Sequence, residues 1–152
     1  PDYYPGFAPL GMYAFMQEDY ATAARMFRKA YEREPRQHSY PLLTALSHKE
    51  AGRDDAARKY LEDVLSKIPR DTLYYDMARY YLTPSGDGAL LRKIERSEDK
   101  VVKTQLLFHL GALYELGGNV SLAQTMYVEV EDQGGPAVIE NRLASWKLRS
   151  DE

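Results

Sequence analysis

Small and large apolar residues recur at helical spacing between Leu10 and Pro35, and the pattern returns further along the chain. Leu10, Gly11 and Ala14 share one side of a predicted first helix, where Gly11 leaves room for a neighbouring helix. A second stripe has spacings of four, three and one residues and consists of Ala23, Phe27, Ala30 and Tyr31. Pro35 lacks a backbone donor and disfavours helical geometry in the preceding residue. The stretch therefore predicts an antiparallel helix pair, with Asp19 as the N-cap of the second helix.

The same helix pair recurs after a fixed number of residues, which equals the separation of Pro35 and Pro69 in the sequence. The second copy repeats the spacing of the first with Ala57, Leu61, Val64 and Leu65. Gly52 is placed to end its first helix and Asp54 to cap its second, because glycine suits a helix end and aspartate a helix start.

The third copy is degenerate. Its predicted first helix, TLYYDMARYYLT, is followed by the breakers of residues 84–88, and its second helix at about 87–96 is short. A step of one full period from Ala45 reaches Arg79, but the next step, from Arg79 to Gly111, is shorter by two residues. We therefore predict that Arg79 occupies the place of a small residue and that the two helices there are held further apart.

The fourth copy restores the spacing and ends at Gly134 and Gly135. Prolines and a glycine predict an extended leader over residues 1–8. The predicted helix pairs span about 9–35, 38–69, 71–98 and 101–134, and a capping helix spans 136–149 with Pro136 as its first residue. In that helix an apolar stripe should face the core (Ile139, Leu143, Trp146), and the charged residues should face solvent (Glu140, Arg142, Lys147, Arg149).

These residues resemble the tetratricopeptide repeat, whose period is 34. The signature positions in the first copy are Leu10, Gly11, Ala23, Phe27, Ala30 and Pro35. The resemblance covers about residues 7–135 and implies an all-α fold. The fold would be an α-solenoid, a right-handed superhelix of about four antiparallel helix pairs with the third pair degenerate. Proteins of this kind hold a peptide or another protein in a concave groove lined by the first helices of the pairs.

Carried over position by position, the resemblance predicts a mostly apolar and aromatic groove. Its partner-binding residues would be Met12, Phe15, Met16, Leu42, Leu46, Lys49, Asp76, Tyr80, Phe108 and Glu115. The expected partner is an apolar or aromatic protein segment, since methionines suit surfaces that adapt to different shapes. Burial against a neighbouring helix fits Met12, Leu42, Leu46 and Phe108 equally well.

One subclass of the family clamps the C-terminal carboxylate of a chaperone with lysine, arginine and asparagine. The corresponding positions here hold Ala8, Met12, Leu43, Leu73 and Met77. None of these side chains donates a hydrogen bond to a carboxylate, so chaperone-tail docking is rejected.

Composition and charge narrow the class of protein. Among 152 residues, 44% are apolar and 28% charged, which predicts a folded chain and not a disordered one. A net charge of -3 gives no electrostatic case for nucleic acid or anionic lipid. No apolar run is long enough for a membrane helix, so no membrane insertion is expected. The chain starts at Pro1 and not at methionine, so we expect a processed product or a fragment. It has no cysteine, so a cytoplasmic location and a periplasmic, envelope-associated location fit equally well.

The sequence shows no catalytic constellation. His48 falls where helices pack, and His38 and His109 have no acidic or histidine partner at ligand spacing. We therefore predict a non-catalytic protein without cofactor or metal. Two alternatives stay open, namely self-association into a homo-oligomer through the aromatic leader (Tyr3, Tyr4, Phe7) and a ligand or enzyme site in the third copy (Asp76, Arg79, Tyr80).

Overall fold

The computed structural model describes residues 6–150, and every regular element among them is helical. A short 3-10 helix, Leu65–Lys67, follows the fourth α-helix. The α-helices are α1 (Phe7–Met16), α2 (Tyr20–Arg33), α3 (Ser39–Glu50), α4 (Asp54–Val64), α5 (Leu73–Leu82), α6 (Asp87–Glu95), α7 (Lys100–Leu116), α8 (Val120–Asp132) and α9 (Ile139–Ser150). The chain forms two compact units, residues 1–67 and 68–152. No helix among the described residues is long and apolar enough to cross a membrane.

The first unit contains the helix pairs α1–α2 and α3–α4. The apolar stripe predicted for α2 is confirmed, because Ala23, Phe27, Ala30 and Tyr31 are all buried. Gly11 of α1 lies so close to the Phe27 ring that an added Cβ atom would stand 2.8 Å from two ring carbons. The missing side chain is therefore what lets α1 approach α2.

The second unit contains the pairs α5–α6 and α7–α8, followed by α9. Helix α7 is its centre and contacts the other four helices of the unit. The consecutive residues 104–112 of α7 are all buried, which is why α7 has no polar face over this stretch. Gly111 repeats the role of Gly11, since an added Cβ atom would lie 2.9 Å from the Met126 Cβ atom and 3.0 Å from the Tyr127 ring.

Helix ends follow the predictions in part. The Asp19 side chain accepts from the Thr22 amide, so the predicted cap of α2 is confirmed. The predicted cap Asp54 is wrong, because Arg53 is the N-cap of α4 and Asp54 is its first helical residue. Helix α1 begins at Phe7, two residues before the predicted start, and α9 begins at Ile139 and not at Pro136. Tyr3 and Tyr4 of the predicted leader lie outside the described residues.

The third repeat differs from the prediction by one residue. Arg79 is exposed, whereas its neighbour Ala78 is fully buried in α5 and takes the place of the small residue. Ala78 lies midway along the sequence between Ala45 and Gly111. The second helices show the same register, because the buried Leu90 of α6 lies midway along the sequence between Ala57 and Ala123. One residue is therefore lost on each side of this repeat, and Leu90 stands where the other copies have alanine.

The outward face predicted for the capping helix is wrong for two of its charged residues. Glu140 is 1% exposed and Lys147 is 7% exposed, and both belong to the same buried face as Leu143 and Ala144. Trp146, predicted to be core, is half-buried. Polar partners on α7 explain this arrangement, since Glu140 lies beside His109 and Lys147 beside Glu115. Buried charges need such partners.

Candidate functional site

The predicted binding residues of the first unit separate into buried and accessible ones. The side chains of Met12, Phe15, Leu42 and Leu46 are at most 5% exposed, so they belong to the core and offer nothing to a partner. Met16 and Lys49 are half-buried and accessible. The Lys49 ammonium lies 3.4 Å from a carboxylate oxygen of Asp54, which is an ion pair at the surface. Such a pair is weak and can be exchanged for one with a partner.

The predicted binding residues of the second unit separate in the same way. Phe108 is fully buried, and its ring packs against those of His109 and Tyr127. Glu115 is half-buried but engaged, because one of its oxygens accepts from the Tyr127 hydroxyl at 2.7 Å and lies 3.1 Å from the Lys147 ammonium. Asp76 and Tyr80 remain, and the structure brings them together at one pocket.

This pocket lies between α5 and α6 and has a volume of about 360 Å³. We call it the α5–α6 pocket. Its lining from α5 and the following turn consists of Tyr75, Asp76, Arg79, Tyr80, Thr83, Ser85 and Gly86, and its lining from α6 consists of Ala89, Leu90 and Lys93. A site in the third repeat was the alternative that the sequence left open, and the pocket contains all three of its residues.

The short α6 and the turn before it build the pocket. Gly86 is the N-cap of α6 and has a φ of 76°, in the left-handed region that favours glycine. The Tyr114 hydroxyl donates to the Asp87 carboxylate at 2.7 Å, which ties the first turn of α6 to α7. Burial, this hydrogen bond and the Asp87 charge raise the pKa of Tyr114 above its ordinary value. The hydroxyl therefore stays protonated and keeps donating.

Charges in the α5–α6 pocket are not balanced. The Lys93 ammonium lies 3.5 Å from the Asp76 carboxylate, so these two charges pair. Arg79 lies on α5 one position before Tyr80 and has no ion-pair partner among the described residues. The pKa of Tyr80 is raised by burial and by the Asp87 carboxylate, so the ring presents a neutral hydroxyl. The pocket thus offers two phenol rings and one unpaired guanidinium.

A buried polar cluster in the second unit was missed by the sequence prediction. The Tyr81 hydroxyl lies 2.7 Å from Nδ1 of His109, and Nε2 of His109 lies 3.7 Å from Oε2 of Glu140. His109 thus has an acidic neighbour in the fold, although the sequence prediction found none at ligand spacing along the chain. Glu140 comes from α9, two helices further along the chain, and spacing within one helix cannot reveal such a partner. This cluster joins α5, α7 and α9 and is closed to solvent.

The histidine and carboxylate side chains of the described residues are the candidates for a metal site. Within residues 6–150, no group of three or more histidine, cysteine, aspartate or glutamate side chains is arranged to hold a metal ion. His48 is half-buried in α3, and burial together with the nearby Arg53 and Arg28 charges lowers its pKa. The His38 ring lies 3.3 Å from the Tyr31 hydroxyl. The rings of His48 and His38 are thus part of the packing between helices.

Comparison with known proteins gives a family for one of the helix pairs, α3–α4. A family model described as tetratricopeptide repeat matches residues 42–70, which cover most of α3, all of α4 and the turn after it. A search of curated proteins gave no significant match. The regular elements of residues 6–150 are all helical, and the buried alanines Ala23, Ala57 and Ala123 hold equivalent positions in their second helices. The match supports a protein of the tetratricopeptide-repeat type, and the repeat itself is shown over residues 42–70.

Proposed function

We propose that this protein is a non-catalytic protein-binding module. It holds a segment of another polypeptide against the first helices of its repeats, which are α1 and α3 in the first unit and α5 and α7 in the second, with each unit considered by itself. The observation that carries the proposal is the tetratricopeptide repeat at residues 42–70 within a series of helix pairs. Helical repeat proteins bind partners along the surface that successive repeats present, and each repeat adds a few side chains to that surface.

The accessible side chains on the first helices set the chemistry of this surface. Met16 and Lys49 are available in the first unit, and Asp76 and Tyr80 in the second. Phe15, Leu42 and Phe108 stabilise the helix pairs from inside and do not contribute. The first unit therefore offers a flexible thioether and a positive charge, and the second unit offers a phenol ring and a negative charge, so each suits a segment that carries both apolar and charged residues.

Substitution of accessible residues tests the proposal without unfolding the protein. The variant Met16→Glu with Lys49→Glu should capture less partner from an extract of the source cells than the wild-type chain does, by at least about tenfold. Phe15 is left unchanged, because truncating a fully buried phenylalanine costs about 3 to 5 kcal/mol of stability.

The matched control places the same change of charge on second helices. Ala21 of α2 and Lys59 of α4 are exposed, so Ala21→Glu with Lys59→Glu should leave capture unchanged. Circular dichroism must show the same melting temperature for both variants. Equal capture by the wild-type chain and the Met16 and Lys49 variant would remove the first-helix surface of this unit from the proposed function.

A further inference from the structure

The Arg79 guanidinium is the feature of the α5–α6 pocket that points to a ligand. Arginine presents a planar fork of donors that matches a carboxylate, and it stays charged at every physiological pH. No carboxylate of the described residues pairs with Arg79. The nearest pairing in the pocket, Lys93 with Asp76, leaves the lining with one net positive charge. An exposed arginine beside two phenol rings is thus poised for an anion that the chain does not supply.

We propose that the α5–α6 pocket receives the carboxylate of an aspartate or glutamate side chain carried by a partner polypeptide. Arg79 binds the carboxylate, and the rings of Tyr75 and Tyr80 contact the apolar side chains that flank the acidic residue. This proposal rests on the proposed function, since it names one contact of the partner that the module holds. It differs from recognition of a chain terminus, because the acidic group lies inside the segment.

Tyr75 and Tyr80 supply the apolar contact surface of the pocket. Both rings are half-buried, so each shows one part of its surface to the pocket while the rest packs within the unit. The Arg70 guanidinium lies 6.0 Å from the centre of the Tyr75 ring, which holds this ring from one side. Rigid aromatic rings give large contact area at low entropic cost. An acidic residue with an apolar neighbour therefore fits better than a lone acid.

The open rim of the pocket favours a polypeptide over a free small molecule. Thr83, Ser85, Gly86 and Ala89 line the pocket and are exposed to solvent. Binding sites for small molecules cover about 70 to 90% of the ligand, and a rim of this kind does not enclose one to that degree. A side chain delivered by a backbone that runs across the rim needs no such enclosure. The hydroxyls of Thr83 and Ser85 can bond to that backbone.

Short peptides with both ends blocked test the proposal directly. The probe is acetyl-Gly-Phe-Glu-Phe-Gly-amide, and its comparison peptide has glutamine in place of glutamate. We expect the glutamate peptide to bind at least about tenfold more tightly than the glutamine peptide. A hydrogen bond to a charged group contributes enough binding free energy for a difference of this size. Nuclear magnetic resonance titration should show the largest shifts at the Arg79 side chain and at the Tyr75 and Tyr80 amides.

Variants of two arginines separate a local contact from general charge attraction. Arg79→Gln should abolish the preference for the glutamate peptide. Arg92 lies on the same short helix pair, is exposed and does not line the pocket, so Arg92→Gln removes the same charge and should change the affinity by less than about twofold. Both residues are on the surface, and both variants should fold normally.

Three results would overturn the proposal. The first is equal affinity for the glutamate and glutamine peptides. The second is binding of free glutarate as tight as that of the peptide, which would indicate a small-ligand site. The third is tight binding of the glutamine peptide once its C-terminus is left as a free carboxylate, which would indicate terminal recognition. If these peptides fail while the Met16 and Lys49 variant still loses its partner, the pocket proposal falls and the binding module stands.

Discussion

His109 and Glu140 face each other inside the second unit, with Nε2 and Oε2 3.7 Å apart and both side chains at most 1% exposed. Neither of these two atoms has a hydrogen-bond partner among the described residues. On the other side of the ring, Nδ1 of His109 lies 2.7 Å from the Tyr81 hydroxyl. The two residues therefore depend on each other, because each would be a buried polar group without compensation if the other were removed.

A double-mutant cycle at His109 and Glu140 should show strong coupling. Glu140→Leu and His109→Leu should each lower the free energy of unfolding by about 3 kcal/mol, since each leaves one buried polar partner alone. The double variant should lose at least about 1 kcal/mol less than the sum of the single variants. Urea denaturation followed by circular dichroism measures all four free energies. Additive losses would show that the two side chains do not interact.

His48 should make the protein less stable as the solution becomes more acidic. Its pKa in the folded chain is lowered from 6.5, first by burial and then by the charges of Arg53 and Arg28. The unfolded chain therefore binds a proton more readily than the folded one, so stability is fully present above about pH 6.5 and falls below it. His48→Gln should reduce the drop in melting temperature between about pH 7.5 and about pH 5.5.

The comparison for His48 comes from the other half-buried histidine of the first unit. Burial also lowers the pKa of His38, so the variant with both residues changed to glutamine should have the flattest profile. An unchanged profile in that double variant would place the acid sensitivity elsewhere.

Local periodicity predicts the second helices of the repeats well. The stripe Ala23, Phe27, Ala30 and Tyr31 is buried as predicted, because spacing along one helix fixes which side chains share a face. Long-range partners cannot be obtained in this way. Glu140 was predicted to face solvent, opposite the apolar stripe of its helix, yet it is buried beside His109 of another helix. The right-handed superhelix, which depends on the family resemblance, stays a prediction.

The candidate site was predicted less well than the fold. Apolar residues on a first helix suit both a binding face and a core, and the sequence could not separate these roles for Met12, Leu42, Leu46 and Phe108. For Phe15 the prediction favoured the binding face, and the structure buries it completely. The α5–α6 pocket depends on a turn and a short helix, whose geometry no periodic pattern encodes. Only its location in the irregular third repeat was predictable.

Gly11 should not tolerate even one added carbon. In Gly11→Ala the new Cβ atom would stand 2.8 Å from carbons of the Phe27 ring, which is fully buried and has no room to move. We expect a loss of about 1 to 3 kcal/mol from overpacking, partly offset by the better helix propensity of alanine. The control is Gly88→Ala in α6, where the nearest contact of a Cβ atom is the flexible end of Arg92 at 3.6 Å.

The two glycine variants should therefore move the melting temperature differently. Gly11→Ala should lower it, whereas Gly88→Ala should be neutral or stabilise the chain by up to about 1 kcal/mol. Phe27→Leu should partly rescue Gly11→Ala, because a smaller side chain leaves space for the new methyl group. A fully stable Gly11→Ala chain would mean that α1 and α2 do not pack as closely as described.

Neighbouring residues of α5 offer the sharpest test of the repeat register. Ala78 is fully buried, whereas Arg79 is exposed on the pocket side. Ala78→Leu should therefore cost about 1 to 3 kcal/mol by overpacking, while Arg79→Leu should change the free energy of unfolding by no more than about 0.5 kcal/mol. If Arg79 instead held the position of the small residue, as one full period from Ala45 requires, the order of the two costs would be reversed. Urea denaturation of both variants decides between the two registers, and with them which side chains of α5 remain free to meet a partner.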